Sequence, residues 1–570
     1  MAARVDSSSL INYFFRKSPF IRTLCWIVLA LLFALGSLLF GLHVNQKPEI
    51  DSINPPVGSP GDLIIITGKG FGSSRETNYV EFGGSKLTSS SYISWTDTEI
   101  KVVLPANVKD GLVVVETKTS RSKPAFFANA TAAPVAVTQN PQTTAPIITS
   151  LSPEKILPGT LITIYGANFG NAKDNSKVFF SVNREKPAND ENFSSKTKED
   201  LSFTPANDDD FDYEFWSDSE IRLYVPDGAV SGDIFVSTNK GTSPLRHIDI
   251  NRKAGTKSFI SPKTYVVQVS VDIDDTAGDK DSQIILRCPR PFTSPAQPVV
   301  VDSECSPEPI IYDFQHTIIH QTSGARGTGK NKFRQNFAIT SYDTRTEIHP
   351  SAINPSAEMN KTLKAAATKP DSCIPSGNEE IIKIAQSISK NEKNPYTISV
   401  LTYNYMLKEF EILQNVRKGN ISPLDLLKTK RGDAYDFAVI FTALLRANGI
   451  AALPDSGILV ESDLRTRPHW WSEFYVPGFG WIPVDIALAA GLDYHPWQKD
   501  IVPHQFYFGN LDGQHILFNR GWNEFKPSAP NNKTVSRPRS YSLQSIWEEA
   551  SGKTIKYSSY WSNPTVIGVY

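Results

Sequence analysis

Two stretches decide the fold: RGDAYDFAVIFTALLRANGI, residues 431–450, and HWWSEFYVPGFGWIPVD, residues 469–485. The first has helical periodicity. Phe437, Phe441, Leu444 and Leu445 share a face, Asp433 stands where an N-cap belongs, and Gly449 stands where a helix ends. The second predicts two strands, HWWSEFYVP and GWIPVDIAL, which would set His469 and Asp485 facing each other if they pair as a hairpin. Upstream, EEIIKIAQSIS and TISVLTYNYMLKEFEIL also read as helices, so an α+β domain is predicted.

The ordered set Arg431-Gly-Asp-Ala434, Leu444-Leu-Arg446-Ala-Asn-Gly449-Ile450 and His469 to Asp485 resembles the bacterial transglutaminase-like domain, a papain-like fold. The likeness runs for about 130 residues, from Asn394 to Asn523. The segments Tyr507-Phe-Gly-Asn-Leu-Asp-Gly513 and Asn519-Arg-Gly-Trp522 resemble the tail of that domain. The resemblance implies a Cys opening the helix, held as thiolate by the helix dipole and an imidazolium, with a His as base and an Asp orienting it. His469 and Asp485 fall on the family's His and Asp positions. The nucleophile position falls on residue 434, which is alanine, and a methyl group cannot attack a carbonyl.

Asp433 and Tyr435 flank that position; Cys373 lies 61 residues upstream in a Pro- and Gly-bearing loop and is not placed to replace it. Two readings follow. One is a non-catalytic binding protein whose cleft, lined by His469, Trp470, Trp471 and Trp481, holds a peptide, a glycan or a surface partner. The other is an active thiol-type peptidase, amidase or transglutaminase in which Ala434 artificially replaces a Cys, or another group substitutes. A pure scaffold is the third reading, should the cleft prove closed. No cofactor and no metal site is expected.

Further upstream the chain repeats itself. Gly61, Gly68, Phe71, Gly72, Val80 and Phe82 recur as Gly159, Gly166, Phe169, Gly170, Val178 and Phe180, and Trp95, Asp97, Glu99, Ile100 and Pro105 as Trp216, Asp218, Glu220, Ile221 and Pro226. The offset grows from 98 to 121, so the second copy carries 23 extra residues before Trp216, an acidic, Asn- and Ser-rich insertion expected in a surface loop. Short alternating strands with turns every 8–12 residues predict small β-sandwiches. The shared P-G-x-x-I-x-I-x-G-x-x-F-G pattern resembles the IPT/TIG immunoglobulin-like family, which implies spacers or binding modules. The boundaries are 48–128 and 146–250, joined by a Pro/Thr/Ala linker at 129–145. Strand-like runs at 258–350 predict a third β-sandwich, ahead of the transglutaminase-like domain at 375–530 and a C-terminal tail at 531–570 with a helix-like SLQSIWEEAS.

At the N-terminus, residues 23–42 run TLCWIVLALLFALGSLLFGL without a charge, long enough as a helix to span a bilayer. Arg4, Arg16, Lys17 and Arg22 precede it, so residues 1–22 are expected in the cytoplasm, 23–43 as a signal anchor in the lipid bilayer, and the rest outside. A cleaved signal peptide is the alternative, but the apolar run exceeds the usual h-region and no A-x-A site follows. That compartment permits disulfides, and Cys288 and Cys305 flank a Pro-rich stretch that they would staple.

The 570 residues suit several domains, and a net charge of −1 excludes a generally basic nucleic-acid binder. Four cysteines exclude a disulfide scaffold and a zinc array. Residues 324–331 nearly spell a P-loop but end in Asn331 where a Ser or Thr should hold magnesium, and Asp272, Asp274, Asp275, Asp279 and Asp281 do not fit calcium-loop spacing.

Overall fold

The computed structural model describes residues 47–129, 145–186 and 201–570, apart from 59–60, 106–107, 109–110, 119, 328–329, 420–421, 523–524, 529–530, 537–540 and 553–555, together with 19–20, 23, 26–28 and 30–31. The expected membrane span at 23–43 and the linker at 129–145 lie largely outside the described residues. Among those described, no helix is long and apolar enough to cross a membrane. The chain divides into two compact units, residues 1–130 and 131–570.

The first unit holds the first repeat as two facing sheets. One runs Glu49–Asn54, Leu63–Lys69, Glu99–Val103, Tyr92–Trp95, and the second repeat reproduces that order with Ile147–Ser152, Leu161–Ala167, Glu220–Tyr224, Tyr213–Trp216. The recurring residues have matching jobs. Trp95 Nε1 donates to the Phe71 carbonyl at 3.1 Å, and Trp216 Nε1 to the Phe169 carbonyl at 3.2 Å. Asp97 accepts from the Gly72 amide at 2.9 Å, and Asp218 from the Gly170 amide at 3.0 Å. A Cβ on Gly68 or Gly166 would lie 2.0 Å from a carbonyl oxygen of the neighbouring strand, so only glycine fits.

In the second unit, the long strands Gly255–Asp274 and Asn331–Ile348 pair along most of their length. With Val299–Ser306 they form one sheet of the third sandwich; Gln283–Pro289 and Thr317–Ser323 start the facing sheet. The expected tail belongs to this body. The second half of its helix-like stretch is the strand Trp547–Ser551, which pairs with Gln283–Pro289, while Ser558–Trp561 and Thr565–Val569 pair with Gly255–Asp274. Buried Glu548 and Glu549 break the strand's alternation, and Trp561, Ser559, Ser528 and Asn532 supply their hydrogen bonds.

The α+β domain packs the helices Glu379–Ser389 and Pro395–Glu409 around Ala434–Ala447, over an antiparallel sheet in the order Gly480–Val484, Thr466–Val476, Ala452–Val460, His515–Arg520. Ile458, Val460, Ile516 and Phe518 from that sheet join the core of the third sandwich. The insertion in the second repeat is not wholly a surface loop. Asp210 is buried because Arg520 and Trp481 of the α+β domain bind its Oδ1 at 2.7 and 3.1 Å.

Cys288 and Cys305 are separate thiols, not the expected disulfide. They stand on strands of opposite sheets, Cys288 within the core and Cys305 half-buried, and burial pushes the Cys305 thiol up to about 11.

Candidate functional site

The Ala434–Ala447 helix is buried along almost its whole length, and its entry is fixed by a reciprocal cap. Asp433 accepts from the Asp436 amide at 3.2 Å, and Asp436 accepts from the Asp433 amide at 2.9 Å. Arg417 pairs with Asp436 and donates its own amide to Asp433 at 2.8 Å. Asp433, expected beside a cleft, is therefore committed to capping. Ala434 opens the helix at 7% exposure. The Tyr435 ring meets Trp470 edge-on at 5.1 Å, which sets the first helical turn against the strand residue next to His469.

His469 and Asp485 come together as expected: His469 Nε2 lies 2.5 Å from Asp485 Oδ2, and both side chains are buried. Asp485 sits past the end of the Gly480–Val484 strand and caps the short helix Ile486–Ala489, its Oδ1 accepting the Leu488 amide at 2.9 Å. A residue with no role at the sequence level then joins the pair. His515 Nε2 lies 3.0 Å from the same Asp485 Oδ2, and its Nδ1 lies 3.0 Å from Asp512 Oδ1. Asp512 in turn accepts from the Tyr507 hydroxyl at 2.9 Å, the Tyr494 hydroxyl at 3.1 Å and the Gln514 amide at 3.0 Å. The motif segments around residues 507–522 bracket His515, but nothing in its local pattern marks it.

The charges follow this network. Burial would raise the Asp485 carboxyl, but the two imidazoles hold it below the ordinary carboxylate range. Burial would lower His515, and the carboxylates of Asp512 and Asp485 push it up to about 10. Burial lowers His469 and outweighs Asp485, while His515 lowers it further. The nitrogen and oxygen atoms of His469, Asp485 and His515 lie within 4.8 Å of one another, so this trio, where no metal ligand was expected, could reach one ion.

The tryptophans do not line one cleft. Trp470 packs in the helix core, Trp471 packs with Leu488, Tyr507 and Leu517, and Trp481 packs with Tyr475 and Leu363; all three are buried. Trp471 and Trp481 instead border a cavity of about 100 Å3 where the second repeat, the third sandwich and the α+β domain meet, with Asp210, Asp455, Glu473 and His515 also on its wall. Arg520 spans the charge there, its Nε 2.5 Å from Glu473 Oε1. A larger groove of about 370 Å3 is formed by Ser462, Leu488 and residues from 492 to 507, with Tyr494, His495, Gln498 and Lys499 on its wall.

The family description of the transglutaminase-like superfamily core matches residues 382–486, and that of the IPT/TIG domain matches residues 48–131 and 146–198. Among curated proteins, a cyclomaltodextrin glucanotransferase of Paenibacillus macerans is 42% identical over 76 residues, 13% of this chain and 10% of that enzyme. One of Bacillus licheniformis is 45% identical over 61 residues, 11% of this chain and 8% of that enzyme. The chain thus spans about a tenth of the length of the curated relatives it matches.

Among solved structures, a protein described as a cysteine protease from Cytophaga hutchinsonii is 12% identical, covering 55% of this chain and 93% of that one at a TM-score of 0.35. A surface glycan-binding protein from Prevotella bryantii is 13% identical, covering 43% and 71% at a TM-score of 0.20. With the motifs of residues 431–485 on the helix and strands that the family description covers, the chain carries a transglutaminase-like core domain together with IPT/TIG domains.

Proposed function

We propose that this chain is a membrane-anchored, extracytoplasmic binding protein whose transglutaminase-like domain has lost its catalysis. One observation carries the reading: alanine opens the helix at the nucleophile position, while the His469–Asp485 pair is assembled and sealed. The small cavity has no room for a peptide or sugar chain. The 370 Å3 groove lies within the usual size range of ligand pockets and joins aromatic rings to polar groups, so it is the binding surface in this reading. Glycans come first among ligands because the curated relatives are glucanotransferases; peptides come second.

The test uses the purified full chain, screened against glycans, murein fragments and peptides, with amide hydrolysis and acyl transfer assayed in parallel. Binding without turnover, abolished by His495→Ala with Lys499→Ala, supports the reading. Turnover by the chain as it stands would overturn it. The anchor is tested by adding protease to intact cells or spheroplasts, which should remove the repeats.

A further inference from the structure

The shared carboxylate raises a question of protons. Asp485 Oδ2 faces two imidazole nitrogens, His469 Nε2 at 2.5 Å and His515 Nε2 at 3.0 Å. His515 Nδ1 already faces Asp512 Oδ1. A carboxylate on Nδ1 fixes the proton there and turns the Nε2 lone pair outward, the tautomer of a metal-ligating histidine. In this tautomer His515 directs its lone pair at a carboxylate oxygen, an arrangement that only a further proton or a cation between them makes favourable.

Charge counting reaches the same place. Asp485 and Asp512 bring two negative charges into a site where all four side chains are buried. A single imidazolium offsets only one of them, and the charge left over is costly away from water. One divalent cation between neutral imidazoles brings the group to zero.

We propose that His469 Nε2, Asp485 Oδ2 and His515 Nε2 form a site for a divalent transition-metal ion of the zinc class, with Asp512 as the outer carboxylate. Two imidazoles and one carboxylate are a donor set that zinc accepts, whereas calcium and magnesium favour oxygen. The outer groups are in place: Asp485 Oδ1 is held by the Leu488 amide, and Asp512 by Tyr507, Tyr494 and the Gln514 amide. The small cavity supplies an approach, since His515 and Asp512 lie on its wall beside Asp210, Asp455 and Glu473, and Asp455 Oδ1 has no hydrogen-bond partner among the described residues. Metal bonds of about 2.0–2.2 Å in tetrahedral geometry need ligand atoms roughly 3.4 Å apart, so loading must open the present contacts by less than an ångström. The site stands independently of any ligand in the groove.

The test is to strip the full chain with chelator, equilibrate it with Zn2+ and count the ions retained after dialysis. One tightly held ion per chain is expected. His469→Gln and His515→Gln should each abolish retention, and Asp512→Asn should weaken it about 10- to 100-fold. X-ray absorption at the zinc edge of the loaded native chain, which needs no variant to fold, should show nitrogen and oxygen ligands at about 2.0–2.2 Å, two of them imidazole. No retained ion, fewer than two imidazoles, or undiminished retention by folded His515→Gln overturns the proposal.

Discussion

Replacing Ala434 with cysteine asks whether the helix terminus and the His469–Asp485 pair still form a working electrostatic unit. An imidazolium about 4 Å from a thiolate is worth about 4 kcal/mol at an effective dielectric constant near 20, or about 3 pKa units, and this pairing has to overcome the burial that lowers His469. The helix terminus adds about 0.3–1 kcal/mol. Against this, residue 434 is only 7% exposed, which disfavours the thiolate, and Asp433 and Asp436 stand in the first turn with Arg417 offsetting them. A net fall of about 2.5 units, from about 8.5 to about 6, lies within the range of activated cysteines.

At pH 6 the thiolate fraction would then rise from about 0.3% to about half. The weaker nucleophilicity of a more acidic thiol takes back about tenfold, leaving alkylation about tenfold faster. The assay is iodoacetamide labelling across pH 5–9 in the presence of chelator, followed by mass spectrometry of the peptide that carries residue 434. Burial slows every rate alike, so the midpoint of the profile is the readout. It should lie near 6 and move toward 8 in the double variant with His469→Ala. A midpoint near 8.5, indifferent to His469, would refute the reasoning and leave the domain a plain scaffold.

His320 is buried against Phe333 with Gln335 Nε2 2.8 Å from its ring nitrogen, and burial lowers it from 6.5 to about 4. Its neutral form stabilises the fold above pH 6.5, and that stability is lost as pH falls from 6.5 toward 4. The loss is about 3 kcal/mol, from roughly 1.4 kcal/mol per unit. Urea melts at pH 7 and 4 should show that much less acid sensitivity in His320→Gln, and equal sensitivity would count against the assignment. Gly480 has φ +110° and a Cβ there would lie 2.0 Å from Asp227 Oδ1, which also holds buried Lys257. Gly480→Ala should therefore cost about 2–4 kcal/mol by calorimetry, and a loss under 0.5 kcal/mol would show that the contact yields freely. Trp561→Ala should cost about 3–5 kcal/mol, because Trp561 packs into the third sandwich and donates to Glu548 at 2.7 Å; no loss would make residues 557–570 dispensable. Alkylation of the denatured chain without reductant should label Cys288, Cys305 and Cys373 alike, and sparing of the first two would restore the disulfide.

The repeats and the helix with its two partner strands were legible because each rests on local chemistry. Glycines at strand crossings, Trp95 and Trp216 at matching strand ends, and Asp433 at a helix entry all act within one repeat or one helical turn. The missed features depend on partners distant in sequence. His515 acquires meaning only from Asp485, 30 residues away, and Asp512. Asp210 read as solvated loop because Arg520, 310 residues away, is invisible to local pattern. SLQSIWEEAS read as a helix because its acids look exposed, while Trp561 and Ser559 bury one of them in a strand. The tryptophans read as one cleft because alternation along a strand shows which residues share a face but not which neighbour covers it.

The third sandwich is written in two places, with the transglutaminase-like domain between them: its central strand pair ends at Ile348, and the strand that extends its second sheet begins at Trp547. Synthesis of the intervening stretch of nearly 200 residues takes about 10–40 s at ordinary ribosomal rates. For that interval Gln283–Pro289 waits for Trp547–Ser551, while the sheet of the later domain, which shares its core, is itself being made. The two bodies therefore have no independent schedule. They mature together, late, once residues 547–569 have been made.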